Sequence, residues 1–352
     1  MTGKAFRNIE PPITRRRFLQ MSGWVGLGVA APLFFPVGTE AVKFNKKFYK
    51  VSETRLGMGT FVSMTLIHPS KDEAQEAMGL AFEEIDRLTR LMNRFNQDTA
   101  VGELNKEGFL KDVPPDLSHV VYAALRYFKV TNGAFDISVE PIISLYVQRL
   151  SNGSKSLLSE KELREVLGRV GAENIVFDGR TIKFLKEGMG ITLDGIAKGY
   201  IVDRASSLLS SKGIKNHLIN AGGDIRTVGQ AKGKRPWTIA IQDPNKKRHY
   251  PDIVKMNDGA IATSGNYEVY FDRERMYYHI VNPRTGHSPL QTTSASVMAN
   301  TTMEADALST SVFVMGPTEA LRFINSIPRC ECLLITRKNK ILRSAGWKSA
   351  TI

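Results

Sequence analysis

Four short segments rich in glycine and aspartate constrain this sequence more than any other feature. They read GAFDISVEP (133–141), LDGIAKGY (193–200) followed by NAGGDI (220–225), HIVNPRTG (279–286) and ADALST (305–310). Each joins an apolar, strand-like run to a flexible glycine and to an acid, a base or a hydroxyl. Glycine lets the backbone approach a phosphate closely, and carboxylates and hydroxyls bind hard cations. Four such segments in one chain predict a single composite site for an anionic cofactor.

The charge of the chain does not indicate a nucleic-acid binder. Its 352 residues carry a formal net charge of +13, but nine basic and two acidic side chains lie within the first 50 residues. The mildly basic remainder lacks a basic stripe with interleaved aromatic residues, which nucleic acid would require. With 42% apolar residues the chain can bury the core of one large domain or two ordinary ones.

The N-terminal residues have the character of an export signal. Three arginines at 15–17 precede Phe-Leu, and an apolar, glycine-containing stretch follows to about residue 37. This order is typical of secretory signals, and the paired arginines resemble the twin-arginine type. The sequence therefore predicts a signal at 1–40, a folded domain at 48–352 and a periplasmic location. The alternative is an N-terminal segment that stays in place and anchors the domain on the outer side of the membrane.

Hydrophobic periodicity predicts helices interspersed with antiparallel hairpins, which is an α+β fold. Ser159 and Glu162 have the spacing of a capping box at the start of a helix. Helices are predicted at 71–92, within 95–108, at 117–131, 141–149, 159–170, 196–212, 303–313 and 317–327, and strands within 49–67 and at 174–178, 181–185, 214–219, 238–242, 253–256, 260–263, 267–271, 276–281, 333–336 and 340–342.

Three segments offer polar chemistry, and each also has a structural interpretation. Lys198 falls in the first turn of a predicted helix, where free N–H groups and a positive charge suit a phosphate, but a solvated lysine would look the same. His279 ends a strand before a sharp turn and is a candidate general base, although single histidines are more often structural. Asp306 and Thr310 lie one helical turn apart and can bind Mg²⁺ together, although a first-turn acid and a packed threonine explain them as well.

Other side chains offer contacts to phosphate or to a flat ring. Ser264 supplies a hydroxyl donor for phosphate just upstream of His279. Met58, Phe95, Phe135 and Asp136 provide apolar surface beside a single carboxylate, which suits a heteroaromatic ring, although methionine and phenylalanine are more often core residues.

Together and in this order, the segments resemble the ApbE family of FAD:protein FMN transferases. The match runs from about residue 55 to residue 343 and rests on MGT, LN (104–105), GAFDISVEP, GIAKGYIVD, NAGGDI, ATSGNY, HIVNPRTG and ADALST. The resemblance implies a T-fold-like α+β architecture with mixed or antiparallel sheets flanked by helices. It also implies Mg²⁺-dependent transfer of FMN from FAD to a Ser or Thr hydroxyl, with release of AMP. The acceptor would be an exported flavoprotein, such as a redox-complex subunit or a flavin reductase.

The resemblance also implies roles for individual residues. Metal ligands are implied at the Gly195 carbonyl, Asp306 and Thr310, and His279 matches the natural candidate for the catalytic base. Family members commonly read Asp-Leu-Gly-[Gly/Ala]-Ile-Ala-Lys, whereas this chain reads TLDGIAK (192–198), so either Thr192 or Asp194 would replace the family's acid. With Ser264 and His279 included, the predicted FAD contacts are Met58, Phe95, Ala134, Phe135, Asp136, Asp194, Lys198, Ser264 and His279.

The sequence alone leaves two other functions open. If water replaced the acceptor hydroxyl, the protein would be a Mg²⁺-dependent FAD pyrophosphatase. The third candidate is a non-catalytic flavin-binding assembly protein. The pairing of Asp306 with Thr310 argues against this last function, because a storage protein needs no metal at the pyrophosphate.

Overall fold

The computed structural model describes residues 40–43, 47–151, 158–231, 235–245, 250–266 and 280–350. The predicted export signal, apart from Glu40, and the predicted base His279 lie outside these residues. The predicted strand at 267–271 and most of the one at 276–281 also lie outside them. Within the described part of the chain, no helix is both long enough and apolar enough to cross a membrane.

The described strands form one large sheet and two small ones. They are β1 (Glu40–Lys43), β2 (Tyr49–Gly57), β3 (Thr60–His68), β4 (Phe109–Lys111), β5 (Ile175–Phe177), β6 (Thr181–Phe184), β7 (His217–Ala221), β8 (Asp224–Val228), β9 (Trp237–Ile241), β10 (Asp252–Met256), β11 (Gly259–Gly265), β12 (Thr292–Ala299), β13 (Glu331–Thr336) and β14 (Ile341–Arg343). The large sheet has nine strands in the order β1-β2-β3-β7-β8-β11-β12-β13-β14. Its neighbouring strands all run antiparallel. Strands β9 and β10 form a hairpin, and β4, β6 and β5 form a three-stranded sheet.

A layer of helices covers the large sheet. The described helices are α1 (Lys71–Leu91), α2 (Ala100–Glu107), α3 (Pro115–Val130), α4 (Glu140–Ser151), α5 (Glu160–Leu167), α6 (Ala197–Ser211), α7 (Thr302–Met315) and α8 (Pro317–Asn325). Helices α1, α6 and α7 pack on the strands, and α6 also packs on both α1 and α7. Most side chains of α7 are buried, which is the pattern of a helix enclosed on nearly all sides. An antiparallel sheet with helices layered on it confirms the predicted α+β class.

Local sequence signals explain several element ends. Ser159 and Glu162 form the predicted capping box at the start of α5. The predicted hairpin at 49–67 consists of β2 and β3, and Gly57 pairs with Thr60 across its turn. Met58 occupies that turn with a φ of 52°, in the left-handed region that side chains other than glycine rarely adopt.

Candidate functional site

The site lies where the N-terminal ends of α6 and α7 cross. A Cβ atom at Gly199 would lie 2.4 Å from the carbonyl oxygen of Thr302, so only glycine permits this approach. Asp203 accepts hydrogen bonds from the N–H groups of Thr302 and Met303, each at 2.9 Å, and so joins α6 to the first turn of α7. The crossing brings Lys198 in the first turn of α6 close to Asp306 in α7.

Gly195, Thr310 and Phe135 meet at this crossing. A Cβ atom at Gly195 would lie 3.0 Å from Thr310 Oγ1 and 3.4 Å from Phe135 Cε2. The hydroxyl of Ser264, on β11, lies 3.3 Å from that of Thr310 and 2.8 Å from that of Ser309. Glycine at position 195 therefore lets a backbone turn, the hydroxyl of Thr310 and an aromatic ring come together.

Asp306 is a buried carboxyl group within the cluster. It is 4% exposed, and its Oδ2 accepts a hydrogen bond from the N–H of Gly199 at 3.1 Å. Burial raises the pKa of Asp306 well above its ordinary value, and the negative charge of Asp224 raises it further, while Lys198 acts in the opposite direction. A positive ion beside Asp306 would relieve both the burial penalty and the repulsion.

Lys198 forms an ion pair with Asp224. The distance from Lys198 Nζ to Asp224 Oδ2 is 2.9 Å, and the Asp224 side chain is only 2% exposed. Burial raises the pKa of Asp224, and the lysine partly offsets this effect. The sequence assigned no role to Asp224 in NAGGDI, because its partner lies in another segment of the chain.

Asp194 pairs with an arginine that the sequence analysis did not single out. Nε and Nη2 of Arg94 each lie 3.2 Å from Asp194 Oδ2, and its Nη1 lies 3.6 Å from Glu140 Oε1. The same guanidinium covers the ring of Phe95, 4.2 Å from the ring centroid. Thr192, the other candidate for the family's acid, is buried, and its hydroxyl accepts a hydrogen bond from the N–H of Asp194. Asp194 is therefore the more accessible of the two candidates.

Both carboxylate oxygens of Asp136 accept hydrogen bonds from neighbouring residues of the protein. Its Oδ1 accepts hydrogen bonds from the N–H and hydroxyl of Ser138 at 2.7 and 2.6 Å, and its Oδ2 accepts one from the N–H of Ala172 at 3.2 Å. Burial raises the pKa of Asp136, and these hydrogen bonds oppose that shift. The carboxylate holds the segment that carries Ala134 and Phe135, and a direct contact with FAD stays a prediction.

The remaining glycine-rich segments also meet near this cluster. Arg284 in the NPRTG turn donates a hydrogen bond to the carbonyl of Asn132, just before GAFD. A cavity of about 90 Å³ lies between these two turns, with Ala134 in its lining. Gly222 of NAGGDI packs against Thr60, where the turn that carries Met58 ends. Parts of all four segments singled out in the sequence are therefore neighbours in space.

The metal ligands implied by the sequence are compatible with this geometry. The described residues contain no cluster of three or more His, Cys, Asp or Glu side chains arranged for a metal. Gly195, Asp306 and Thr310 instead offer a carbonyl, a carboxylate and a hydroxyl, which are hard oxygen donors. Mg²⁺ accepts such a sparse protein set, since it keeps several waters and shares phosphate oxygens of its substrate.

Comparisons with known proteins agree with the fold and with the motifs. The profile of the ApbE family matches residues 58–334. The FAD:protein FMN transferase of Haemophilus influenzae is 31% identical over 271 residues, which cover 74% of this chain and 76% of that protein. The enzyme of the same name from Vibrio cholerae is 32% identical over 257 residues, which cover 70% of this chain and 77% of that protein.

Solved structures give the same result. The crystal structure of the ApbE protein from Thermotoga maritima matches with a TM-score of 0.75 at 29% identity, covering 85% of this chain and 97% of that one. The flavin transferase ApbE from Vibrio cholerae matches with a TM-score of 0.72 at 26% identity, covering 88% of this chain and 98% of that one. Since the family profile spans well over half of the sequence, this chain belongs to the ApbE family.

Proposed function

We propose that this protein is an FAD:protein FMN transferase that attaches FMN to a Ser or Thr hydroxyl of a target flavoprotein. The single observation that carries this function is the cluster of Gly195, Asp306 and Thr310 at the crossing of α6 and α7. It presents hard oxygen donors beside Lys198, and this combination suits a pyrophosphate with its counter-cation. The names of the relatives support the same reaction.

The proposed reaction exchanges the phosphoanhydride bond of FAD for a phosphoester bond to the acceptor. The acceptor oxygen attacks the phosphorus on the riboflavin side of FAD, and the bond from that phosphorus to the bridging oxygen breaks. The bridging oxygen leaves with AMP, and the acceptor hydroxyl loses its proton to a base. We assign the base to His279, which lies outside the described residues, because histidine exchanges protons near neutral pH.

The residues of the chain hold the substrate in this scheme. Lys198 supplies positive charge to the phosphates, and Ser264 donates a hydroxyl hydrogen bond nearby. The turn that carries Ala134 and Phe135 and the turn that carries Met58 provide apolar surface for the flavin ring. Mg²⁺ held by Gly195, Asp306 and Thr310 would neutralise negative charge on the pyrophosphate.

We place the reaction outside the cytoplasm. The twin-arginine-type pattern at 15–17 and the following apolar stretch support export of a folded protein, either released into the periplasm or kept at the membrane by its N-terminal segment. The acceptor would then be an exported flavoprotein, such as a redox-complex subunit or a flavin reductase. The concentration of positive charge in the N-terminal 50 residues gives no support for a nucleic-acid partner.

A flavin-transfer assay tests this function. The purified protein is incubated with FAD, Mg²⁺ and candidate acceptors, each compared with its own variant in which the acceptor threonine is replaced by valine. The expected result is a flavin-fluorescent acceptor band that survives denaturing electrophoresis and is missing from the valine variant. Release of FMN and AMP at the same rate without any acceptor would indicate the pyrophosphatase instead. FAD that binds tightly but stays intact would indicate an assembly protein.

A further inference from the structure

We propose that Arg94 is a positioning residue of the FAD site, which fixes the ring of Phe95 as a stacking surface and holds Asp194 beside Gly195. The inference rests on the proposed function, because it assigns the exposed ring to a planar group of FAD. It adds a residue that none of the glycine-rich motifs contains.

The Arg94–Phe95 pair differs from a second arginine–phenylalanine pair, Arg55–Phe82, in which of the two side chains is buried. Arg55 covers the ring of Phe82 at 4.2 Å, and there the ring is 3% exposed while the arginine side chain is 46% exposed. In the Arg94–Phe95 pair the guanidinium also lies 4.2 Å from the ring centroid, but there Phe95 is 78% exposed and the Arg94 side chain only 10% exposed. Arg55 thus covers a core residue, whereas Arg94 supports a ring that faces solvent.

The guanidinium of Arg94 is fixed from two other segments of the chain. Asp194 lies one hundred positions along the chain and pairs with it at 3.2 Å, and Glu140 at the start of α4 lies at 3.6 Å. Glu140 also accepts a hydrogen bond from Ser144 one helical turn on. Two carboxylates on different elements restrict the rotation of the guanidinium plane, so the plane can orient the ring that it covers.

The loop that carries both residues is held by its own side chains. Asn93 Oδ1 accepts a hydrogen bond from the N–H of Phe95 at 2.9 Å, and Asn96 Oδ1 accepts one from the N–H of Asp98 at 3.0 Å. The hydroxyl of Thr99 donates to the carbonyl of Asn93 at 2.5 Å while its oxygen caps α2. Backbone and guanidinium together therefore hold Phe95 with one ring face covered, and the other is available to a flat heterocycle.

The pairing with Arg94 also accounts for Asp194, the acid that stands in TLDGIAK two positions after the family's usual aspartate position. Asp194 directly precedes Gly195, whose carbonyl is a proposed metal ligand, and its side chain is 49% exposed. Without Arg94 this exposed carboxylate would be free to rotate, and its charge would also oppose an approaching pyrophosphate. With Arg94 in place, that charge is partly neutralised and its position is fixed.

Variants of Arg94 and Phe95 test the proposal through FAD binding and turnover. Arg94→Met keeps the apolar stem of the side chain and removes the guanidinium, and Phe95→Ala removes the ring. Binding is followed by quenching of flavin fluorescence with Mg²⁺ present and no acceptor, and KM for FAD and kcat are measured with the acceptor. Arg94→Met should weaken FAD binding and raise KM about five- to tenfold, with a smaller change in kcat. Phe95→Ala should do the same.

The double variant distinguishes positioning from a separate effect of each residue. If Arg94 acts mainly through Phe95, the two losses in FAD affinity add up to less than their sum, and the double variant binds FAD only slightly more weakly than Phe95→Ala alone, the difference being the contribution through Asp194. Arg55→Met is the matched control, since it removes the same kind of pair at Phe82 and should leave KM for FAD unchanged. Arg94→Lys, which keeps the charge and loses the planar group, should fall between wild type and Arg94→Met.

Two results would overturn the role of Arg94. One is additive losses in the double variant, and the other is unchanged FAD affinity in Arg94→Met and Arg94→Lys when both keep the wild-type thermal midpoint. If Arg94→Met does not fold, the same comparison of single and double variants is made with Arg94→Lys and Phe95→Ala. Failure of the proposed function looks different, because wild-type protein would then show no flavin transfer in the same assay.

Discussion

At the scale of single residues, Asp306 combines a cost in folding with a proposed role in metal binding. Its carboxylate is buried near Asp224, so its ionised form is less favourable in the folded protein than in the unfolded chain. Asp306→Asn keeps an oxygen that can accept the hydrogen bond from Gly199 and removes the charge. We therefore expect the metal-free variant to have a higher thermal midpoint than wild type at neutral pH. Calorimetry without added metal measures this.

The same variant should lose the response to Mg²⁺. Wild-type protein should gain about 2.7 kcal/mol of stability when Mg²⁺ exceeds its dissociation constant a hundredfold, and Asp306→Asn should gain almost nothing. Glu304→Gln is the control, because it removes an acid from the first turn of the same helix. A Mg²⁺-induced shift of equal size in wild type and Asp306→Asn would contradict the metal assignment.

His217 should make stability depend on pH. It is fully buried, its Nε2 lies 2.8 Å from the hydroxyl of Ser206, and burial lowers its pKa to about 4. The unfolded chain takes up the proton near pH 6.5, whereas the folded protein does so only near pH 4. Stability should therefore fall by about 3 kcal/mol as the pH decreases through this window. Denaturant titrations from pH 7 to 4.5 should show a shallower decline for His217→Gln, and equal declines would exclude His217 as the cause.

Residue types at motif spacing singled out part of the candidate site and missed the rest for a physical reason. Lys198, Asp306 and Thr310 could be singled out because each lies in a recognisable segment. The ion pair of Asp224 with Lys198 and the ion pairs of Arg94 with Asp194 and Glu140 could not be predicted from sequence spacing, because the partners lie in distant segments of the chain. For Asp136, the sequence indicated a carboxylate beside a ring but not that local N–H groups occupy it.

At the scale of elements, the crossing of α6 and α7 depends on Gly199. Gly199→Ala would place its Cβ 2.4 Å from the carbonyl oxygen of Thr302, so the helices must move apart. We expect a loss of about 1–3 kcal/mol in unfolding free energy together with weaker FAD binding, because Lys198 and Asp306 are displaced. Gly79→Ala in α1 is the matched control, as nothing lies within 4 Å of the added atom there. That change should stabilise the protein by about 0.5–1 kcal/mol. Equal effects at both positions would contradict the close approach.

Helices and hairpins with clear periodicity were predicted well, whereas two inner strands of the large sheet, β8 and β12, were not. The helices α1, α6, α7 and α8 lie within a few residues of their predicted positions. Strand β12 was missed because its sequence, TTSASVMA, is rich in small residues and buried on both faces, so it shows no alternation. Strand β8 was missed because its five residues follow directly on the glycine turn of NAGGDI.

At the scale of the whole molecule, the C-terminal segment fastens the β9–β10 hairpin to the large sheet. Asp252 Oδ2 accepts hydrogen bonds from Arg343 Nε at 2.9 Å, Trp347 Nε1 at 3.1 Å and the Ser349 hydroxyl at 2.7 Å. Asp252→Ala leaves these donors without their acceptor and should cost about 2 kcal/mol or more. Hydrogen exchange should accelerate at residues 344–350, while flavin transfer at low temperature continues at the wild-type rate. Unchanged exchange there would contradict this role.

The order of strands in the large sheet cannot be predicted from local sequence patterns. Strand β3 pairs with β7, although α1 to α6 and the three-stranded sheet lie between them in sequence, and no local pattern specifies that pairing. The resemblance to the ApbE family supplied the architecture, which the structure and the comparisons confirm. Export and the identity of the acceptor stay predictions.

The proposed transfer of FMN to a protein is tested by the stoichiometry of its two products, AMP and the modified acceptor. Wild-type protein is incubated with FAD, Mg²⁺ and an acceptor, the acceptor is analysed by intact mass, and AMP is quantified in the same sample. We expect one AMP for each acceptor that has gained one FMN in ester linkage, and neither product with Asp306→Asn. AMP and free FMN in equal amounts, with the mass of the acceptor unchanged, would contradict the proposed transfer.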